Sequence, residues 1–312
     1  MPTSHRSYFS CLLLGNCLVA ALTTSPLHAQ QLDLFSELTQ RGLEFTDQQR
    51  VTMSPATLQS GMTDSERTEA LTKLIGKQKW DRFARDSVRA PVVVDIETID
   101  DPTGERLGMR VHNAFVVYTT LATLRDRDLM EETFGPAPVD SSQRDVENDR
   151  EVESDEVRVV MRELPAAELE RLGFSKQAQG DASFAYIELP LLNKVLLRGV
   201  IRIEKRERDG AVELAWRLDP SFNSDEELAS RWTRLERDAV GKLVEGDSFP
   251  YSGCGGWMGV YEINREKKQL LVESQLLLRE PTDWFAGSNF LRSKLPPALQ
   301  ENAQTFRRKI AR

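Results

Sequence analysis

Histidine and cysteine are the scarcest chemistry-bearing residues of this chain, with three of each in 312 residues. His5, Cys11, Cys17 and His28 all fall in the first thirty, so the body carries only His112 and Cys254. A body with one cysteine forms no internal disulfide. A zinc site of the histidine and cysteine kind would have at most two ligands there, fewer than structural or usual catalytic sites need. Nucleophilic catalysis is also poorly served, because an activated serine or cysteine needs a base and His112 is the only histidine left to supply it. Positive charge is in short supply too. Lysine and arginine number 41 against 49 acidic residues, a net charge of −8, whereas nucleic acid or an anionic membrane surface favours a concentrated positive field. No apolar run beyond the first thirty residues is long enough to cross a membrane. No segment has the pattern of a nucleotide cofactor site or an iron–sulfur cluster, so no cofactor is expected.

What is present begins with a leader. His5 and Arg6 give a short basic start, Cys11–Leu22 is mostly apolar, and Leu27-His28-Ala29 offers a cleavage site. Residues 1–29 therefore read as a secretory signal peptide, and the mature protein is expected to be exported, periplasmic or extracellular. A lipidated cysteine fits less well, since Asn16 precedes Cys17 and Ser10 precedes Cys11. Removing the leader takes away only Arg6 among the charged residues and moves the net charge to −9.

The remaining chain suffices for one large domain with an extension. Residues 30–90 read as a helical extension. Leu34, Leu38 and Phe45 mark a first helix, Gln48–Gly61 a connection, and Thr63 or Asp64 caps a second helix striped by Ala70, Leu71, Leu74 and Ile75. From residue 91 the pattern turns to strands: Pro91–Ile99, Leu107–Thr120, Val157–Leu164, Phe184–Leu189, Leu191–Glu204 and Ala211–Leu218, the last two joined as a hairpin through Glu207–Gly210. Leu121–Phe134 reads as a helix and Pro165–Gly173 as a short one. Residues 135–155 are acidic and aperiodic, which predicts an exposed loop insert. Asp225–Glu236 predicts a brief helix or an irregular connection.

The last sixty residues carry the clearest architecture. Gly256–Asn264 and Gln269–Arg279 form a ribbon across the polar turn Glu266-Lys267-Lys268. Behind it Leu291, Leu295, Leu299, Ala303, Phe306 and Ile310 recur at helical steps and share one face. Pro296-Pro297 predicts a break, with a short helix at Asn289–Leu295 and a longer one from Pro297 to Lys309. Ribbon and helix must each bury a face, which gives an α+β body.

This order of elements resembles the START/Bet v 1-like superfamily, also called the helix-grip or SRPBCC fold, over roughly residues 91–312. The resemblance rests on the hairpin around Asp209-Gly210, the Gly256-Trp257 and Gln269–Leu278 strands and the Leu291–Ile310 helix. It implies an antiparallel sheet wrapped around a long C-terminal helix, with a cavity between them for a lipid or another hydrophobic or amphipathic small molecule. Trp216, Trp257, Tyr261, Phe290, Leu291 and Phe306 would line that cavity and Trp284, with Phe285, would gate its mouth. Packed cores have the same periodicity, so an ordinary filled core fits these residues as well.

Three smaller features are candidate sites. Tyr251–Gly256 clusters three glycines around Ser252 and Cys254, which reads as a tight turn, with a Cys254–His112 pair as the rival chemistry. Asp95 and Glu97 share one side of a strand and read as a solvated face. Glu262 and Glu273 are a second acidic pair. The reading that follows is an exported, non-catalytic binding or carrier protein, the alternatives being an envelope interaction protein with a filled core or a cavity enzyme of the same superfamily.

Overall fold

The computed structural model describes residues 33–46, 48–125, 160–174, 182–282, 284–285 and 290–310. The expected leader and the acidic insert at 135–155 lie outside these residues. Helix α1 (Leu34–Ser36) runs into a π-helical turn at Glu37–Arg41 and is followed by a hairpin of β1 (Leu43–Thr46) and β2 (Gln49–Val51). The extension is thus not purely helical, since the stretch read as a connection supplies a strand. Helix α2 (Asp64–Ile75) opens on a reciprocal cap: Thr63 Oγ1 accepts from the Glu66 amide at 3.3 Å, and Glu66 Oε2 accepts from the Thr63 amide at 2.7 Å. A short α3 (Trp80–Phe83) completes the N-terminal part.

Ten strands, all antiparallel, form the main sheet. They are β3 (Val93–Asp100), β4 (Arg106–Tyr118), β5 (Val160–Glu163), β6 (Ala182–Leu191), β7 (Val195–Arg208), β8 (Ala211–Leu218), β9 (Arg231–Arg237), β10 (Leu243–Pro250), β11 (Cys254–Asn264) and β12 (Gln269–Arg279). The spatial order runs β5-β6-β7-β8-β11-β12-β4-β3. The β9–β10 ribbon joins beside the first half of β7, where Leu196 lies opposite Thr233. Helix α4 (Leu121–Arg125) follows β4 and α5 (Ala166–Arg171) follows β5. The C-terminal helix α6 (Phe290–Ile310) packs against the sheet, a general helix-grip-type arrangement.

Three expectations are corrected. Residues 231–237 form strand β9 rather than the brief helix or irregular connection expected over Asp225–Glu236, because Trp232, Thr233 and Leu235 bury against the β7 edge while Arg231, Arg234 and Glu236 stay exposed. The break expected between Leu189 and Leu191 lies instead at Leu192 and Asn193, both with φ near +54°, so the first strand runs on through Leu191 and the second starts at Val195. Helix α6 is continuous through Pro296 and Pro297. The carbonyls that lose a donor belong to Arg292 and Ser293, which are exposed, so water can take the place of the missing N–H groups.

Register decides the layering. Trp257 lies opposite Ala215 and Gln275, and Gln275 lies opposite His112, so these share one face. Met258 lies opposite Leu214 and Ser274, on the other face. Helix α6 covers the Met258 face. The N-terminal residues cover the Trp257 face, where Leu34, Phe35, Leu38, Phe45 and Leu58 join one buried cluster with Val116, Leu271 and Leu277. The molecule has three layers with the sheet in the middle. That is why β4, β11 and β12 read as nearly continuous apolar runs rather than alternating ones.

Candidate functional site

The layer between sheet and helix is where a cavity was expected. Leu291, Leu295 and Leu299 pack there with Met109, Val111, Leu214 and Leu278, and Ala303 and Phe306 pack with Phe115, Val117 and Met258. The Phe115 and Phe306 rings meet edge to face at 5.9 Å. A space of about 20 Å³ remains beside Val111, Asn113, Trp216 and Leu299. That is room for one water and far too little for a lipid. Asn113 is 1% exposed, and neither atom of its side-chain amide has a hydrogen-bond partner among the described residues.

The residues expected to line one cavity are distributed over several environments. Trp216, Leu291 and Phe306 lie on the helix side, with the Trp216 indole packed over Gly256. Phe290 begins α6, and its side chain lies outside the described residues. Trp284 is buried in an aromatic cluster beyond the end of β12, its ring 5.4 Å from Tyr251 and 6.1 Å from Trp232. Trp257 and Tyr261 are on the opposite face, under the N-terminal layer. The physical reason is the period of two along β11, which sends the odd-numbered positions away from the helix.

Under the N-terminal layer the sheet presents a polar set whose members lie far apart along the chain. Glu273 is 1% exposed. Its Oε1 accepts from Thr57 Oγ1 at 2.7 Å and from His112 Nε2 at 2.9 Å, and its Oε2 accepts from the Thr57 amide at 3.0 Å. Gln275 Oε1 accepts from the Ser54 amide at 2.7 Å, while Trp257 Nε1 donates to the Ser54 carbonyl at 3.1 Å. Tyr261 folds back across Gly259, where a Cβ would fall 2.0 Å from its hydroxyl, and donates to Glu213 Oε1 at 2.9 Å. Burial first, then the nearby Glu213 and Glu273, pushes the Tyr261 hydroxyl far above its ordinary value. Glu213 is also bound by Arg206 and Arg208. Every one of these buried carboxylate contacts is spent on holding chain to chain.

The nucleophile pair does not form. Cys254 faces the helix side and His112 the N-terminal side, with β12 between their strands. Burial pushes the Cys254 thiol up to about 12, leaving almost no thiolate at neutral pH. Glu262 and Glu273 likewise occupy strands at positions facing opposite sides, while Asp95 and Glu97 are exposed as expected, with Glu97 paired to Arg110. Among the described residues no three His, Cys, Asp or Glu side chains are grouped to hold a metal ion.

Open space lies at the hairpin end of the sheet. The β7–β8 tip, Arg208-Asp209-Gly210, divides two grooves of about 330 and 410 Å³. The first lies toward α4, with Leu121, Ala122 and Leu270 as its apolar part and Arg125, Arg265 and Lys268 among its charges. The second lies toward the N-terminal layer, with Leu58 and Met62 as its apolar part and Arg67 as its own cation. The residues of this region come from separate turns, from helices α2 and α4 and from the ends of β11 and β12, so no one stretch of sequence marks it. No family model matches the chain, and no curated protein matches it.

Proposed function

We propose that the protein is an exported, non-catalytic binding protein that takes a small amphipathic molecule in the grooves beside the β7–β8 hairpin. The observation that supports this reading is a contrast of space. Among the described residues the space seen beside Leu299 between sheet and helix is about 20 Å³, whereas each groove has the volume of a small-molecule site and joins an apolar floor to a charged rim. The test uses a neutral phenylnaphthylamine fluorophore and mass spectrometry of organic extracts of the purified protein. Saturable binding of one fluorophore that is lost in Ala122→Trp, which fills the first groove, is the expected result. Co-purification of one equivalent of a long-chain lipid, or fluorophore binding indifferent to Ala122→Trp, would overturn it.

A second reading is an envelope interaction protein with a filled core. It is favoured by the covering of both sheet faces, which leaves recognition to the outer surface. Saturable small-molecule binding at the grooves separates the two.

A further inference from the structure

We infer that the polar part of the bound molecule carries more than one oxyanion group, such as phosphates or carboxylates, and that these groups straddle the Arg208–Gly210 tip. The inference rests on the groove-binding reading above and adds the chemical class of the ligand. In a chain of net charge −8, the first groove is lined by four cations and two carboxylates, and the second by three cations and the same two carboxylates. Both carboxylates stand beside one of these cations, Arg265, which leaves the others in excess. Glu262 accepts from Arg265 Nε at 2.7 Å, and Asp209, fully exposed, stands 3.7 Å from Arg265.

The cations keep donors in hand. Arg125 meets Glu207 through one nitrogen at 3.1 Å, and among the described residues the rest of its guanidinium fork has no acidic partner, which suits a planar oxyanion. Arg208 lines both grooves and binds Ser60 and Glu213 through its terminal nitrogens. Its Nε is buried and has no partner among the described residues. Lys268 has no acidic partner among the described residues. Its backbone sits at φ 53°, a left-handed conformation that a glycine or asparagine would adopt with less strain, and its carbonyl accepts from the Thr119 amide at 2.8 Å. A lysine in a conformation that suits glycine, lining the groove, points to a use for the charge. Arg125 and Lys268 belong to one groove and Arg67 to the other, with Arg208 and Arg265 shared, so the cations are spread on both sides of the tip. A single carboxylate would engage one side only.

The test is titration calorimetry of the whole protein with pyrophosphate, with citrate and with sucrose as the neutral control, at about 50 and about 500 mM NaCl. Binding of pyrophosphate or citrate should weaken roughly tenfold at the higher salt and roughly tenfold in Lys268→Gln and in Arg125→Gln. Pyrophosphate preferred over citrate assigns phosphate groups, and the reverse assigns carboxylates. Lys268→Gly adds a readout that a structural role would not give: melting temperature should rise with relief of the backbone strain while anion binding falls. Failure of both anions to bind, equal binding of sucrose, or affinity unchanged in the lysine and arginine variants would overturn the inference. If the neutral fluorophore still binds and is still blocked by Ala122→Trp, the groove reading stands and only the anionic class is lost.

Discussion

Arg307 shows how much of this fold is decided by single side chains. Its Nε donates to the Val116 carbonyl at 2.9 Å, Nη1 to Ala90 at 2.6 Å and Val88 at 3.3 Å, and Nη2 to Pro91 at 3.2 Å, with the guanidinium 5.4 Å from the Phe115 ring. Burial pushes its pKa down to about 10, so it remains charged at neutral pH while standing against carbonyls alone. Arg307→Met should cost roughly 2–4 kcal/mol in a denaturant titration, since several carbonyls lose their donor at once. The exposed neighbour change Arg308→Met should stay within about 0.5 kcal/mol. Equal effects at the two positions would mean that Arg307 is solvated. In the sequence Arg307 is one of three basic residues in the last turn of the helix, with Arg308 and Lys309, and a buried cation and an exposed one look alike in such a run. Cys254, 3% exposed, is buried as a neutral group. Its raised thiol favours the folded state below the unfolded pKa near 9. That contribution fades as pH rises from 9 toward 12, because the unfolded chain then releases the proton first. Tyr251, fully buried and also raised, acts in the same direction. Stability should therefore fall above pH 9, and Cys254→Ala should flatten that decline by up to about 1.4 kcal/mol per pH unit. A slope identical in the variant would place the thiol in contact with solvent.

At the scale of elements, strands and the C-terminal helix were readable because each buries a periodic face against a partner. The helical steps from Leu291 to Ile310 and the hairpin at Asp209-Gly210 predict what is found. The elements that were misread lack that signal. Strand β9 mixes arginine with its apolar residues, and the β6–β7 turn places Leu192 and Asn193 where glycine would have announced a bend. Leu299, 2% exposed, is the mid-point of the helix seam, and Leu299→Ala should destabilise the fold by about 2–5 kcal/mol. The two prolines give a sharper test of the helix itself. If Pro297 began a second helix, as the sequence alone suggests, alanine there would be neutral or costly. In a continuous helix Pro297 is an interior position that withholds a hydrogen bond. Pro297→Ala should then raise stability by roughly 1–3 kcal/mol. A lower melting temperature in this variant would restore the break.

At the scale of the whole molecule, what the sequence concealed is the second covered face. Period-two reading assigns residues to two sides of a strand without saying what lies on each, and the resemblance to a helix-grip fold placed one partner only, the C-terminal helix. On that resemblance the chain before residue 91 is only an extension, and Trp257 and Tyr261 belong to the helix side. Their true surroundings are supplied by that extension. The Leu34 amide donates to Glu204 at 2.6 Å, Glu37 pairs with Arg217 at 2.6 Å, and Thr57 satisfies the buried Glu273. A chain of residues 91–312 alone would bare Val116, Trp257, Tyr261, Leu271 and Leu277 together and leave Glu273 short of its Thr57 donors. Both effects act against solubility and stability. We expect this fragment to aggregate or to melt without cooperativity, as followed by light scattering and calorimetry, and to regain a cooperative transition when residues 30–90 are supplied in the same chain. A monomeric 91–312 fragment with a sharp melting transition would show that the N-terminal layer is an accessory cover. Trp257 and Tyr261 would then become surface residues available to a partner, and the search for a binding face would move from the hairpin grooves to the sheet beneath them.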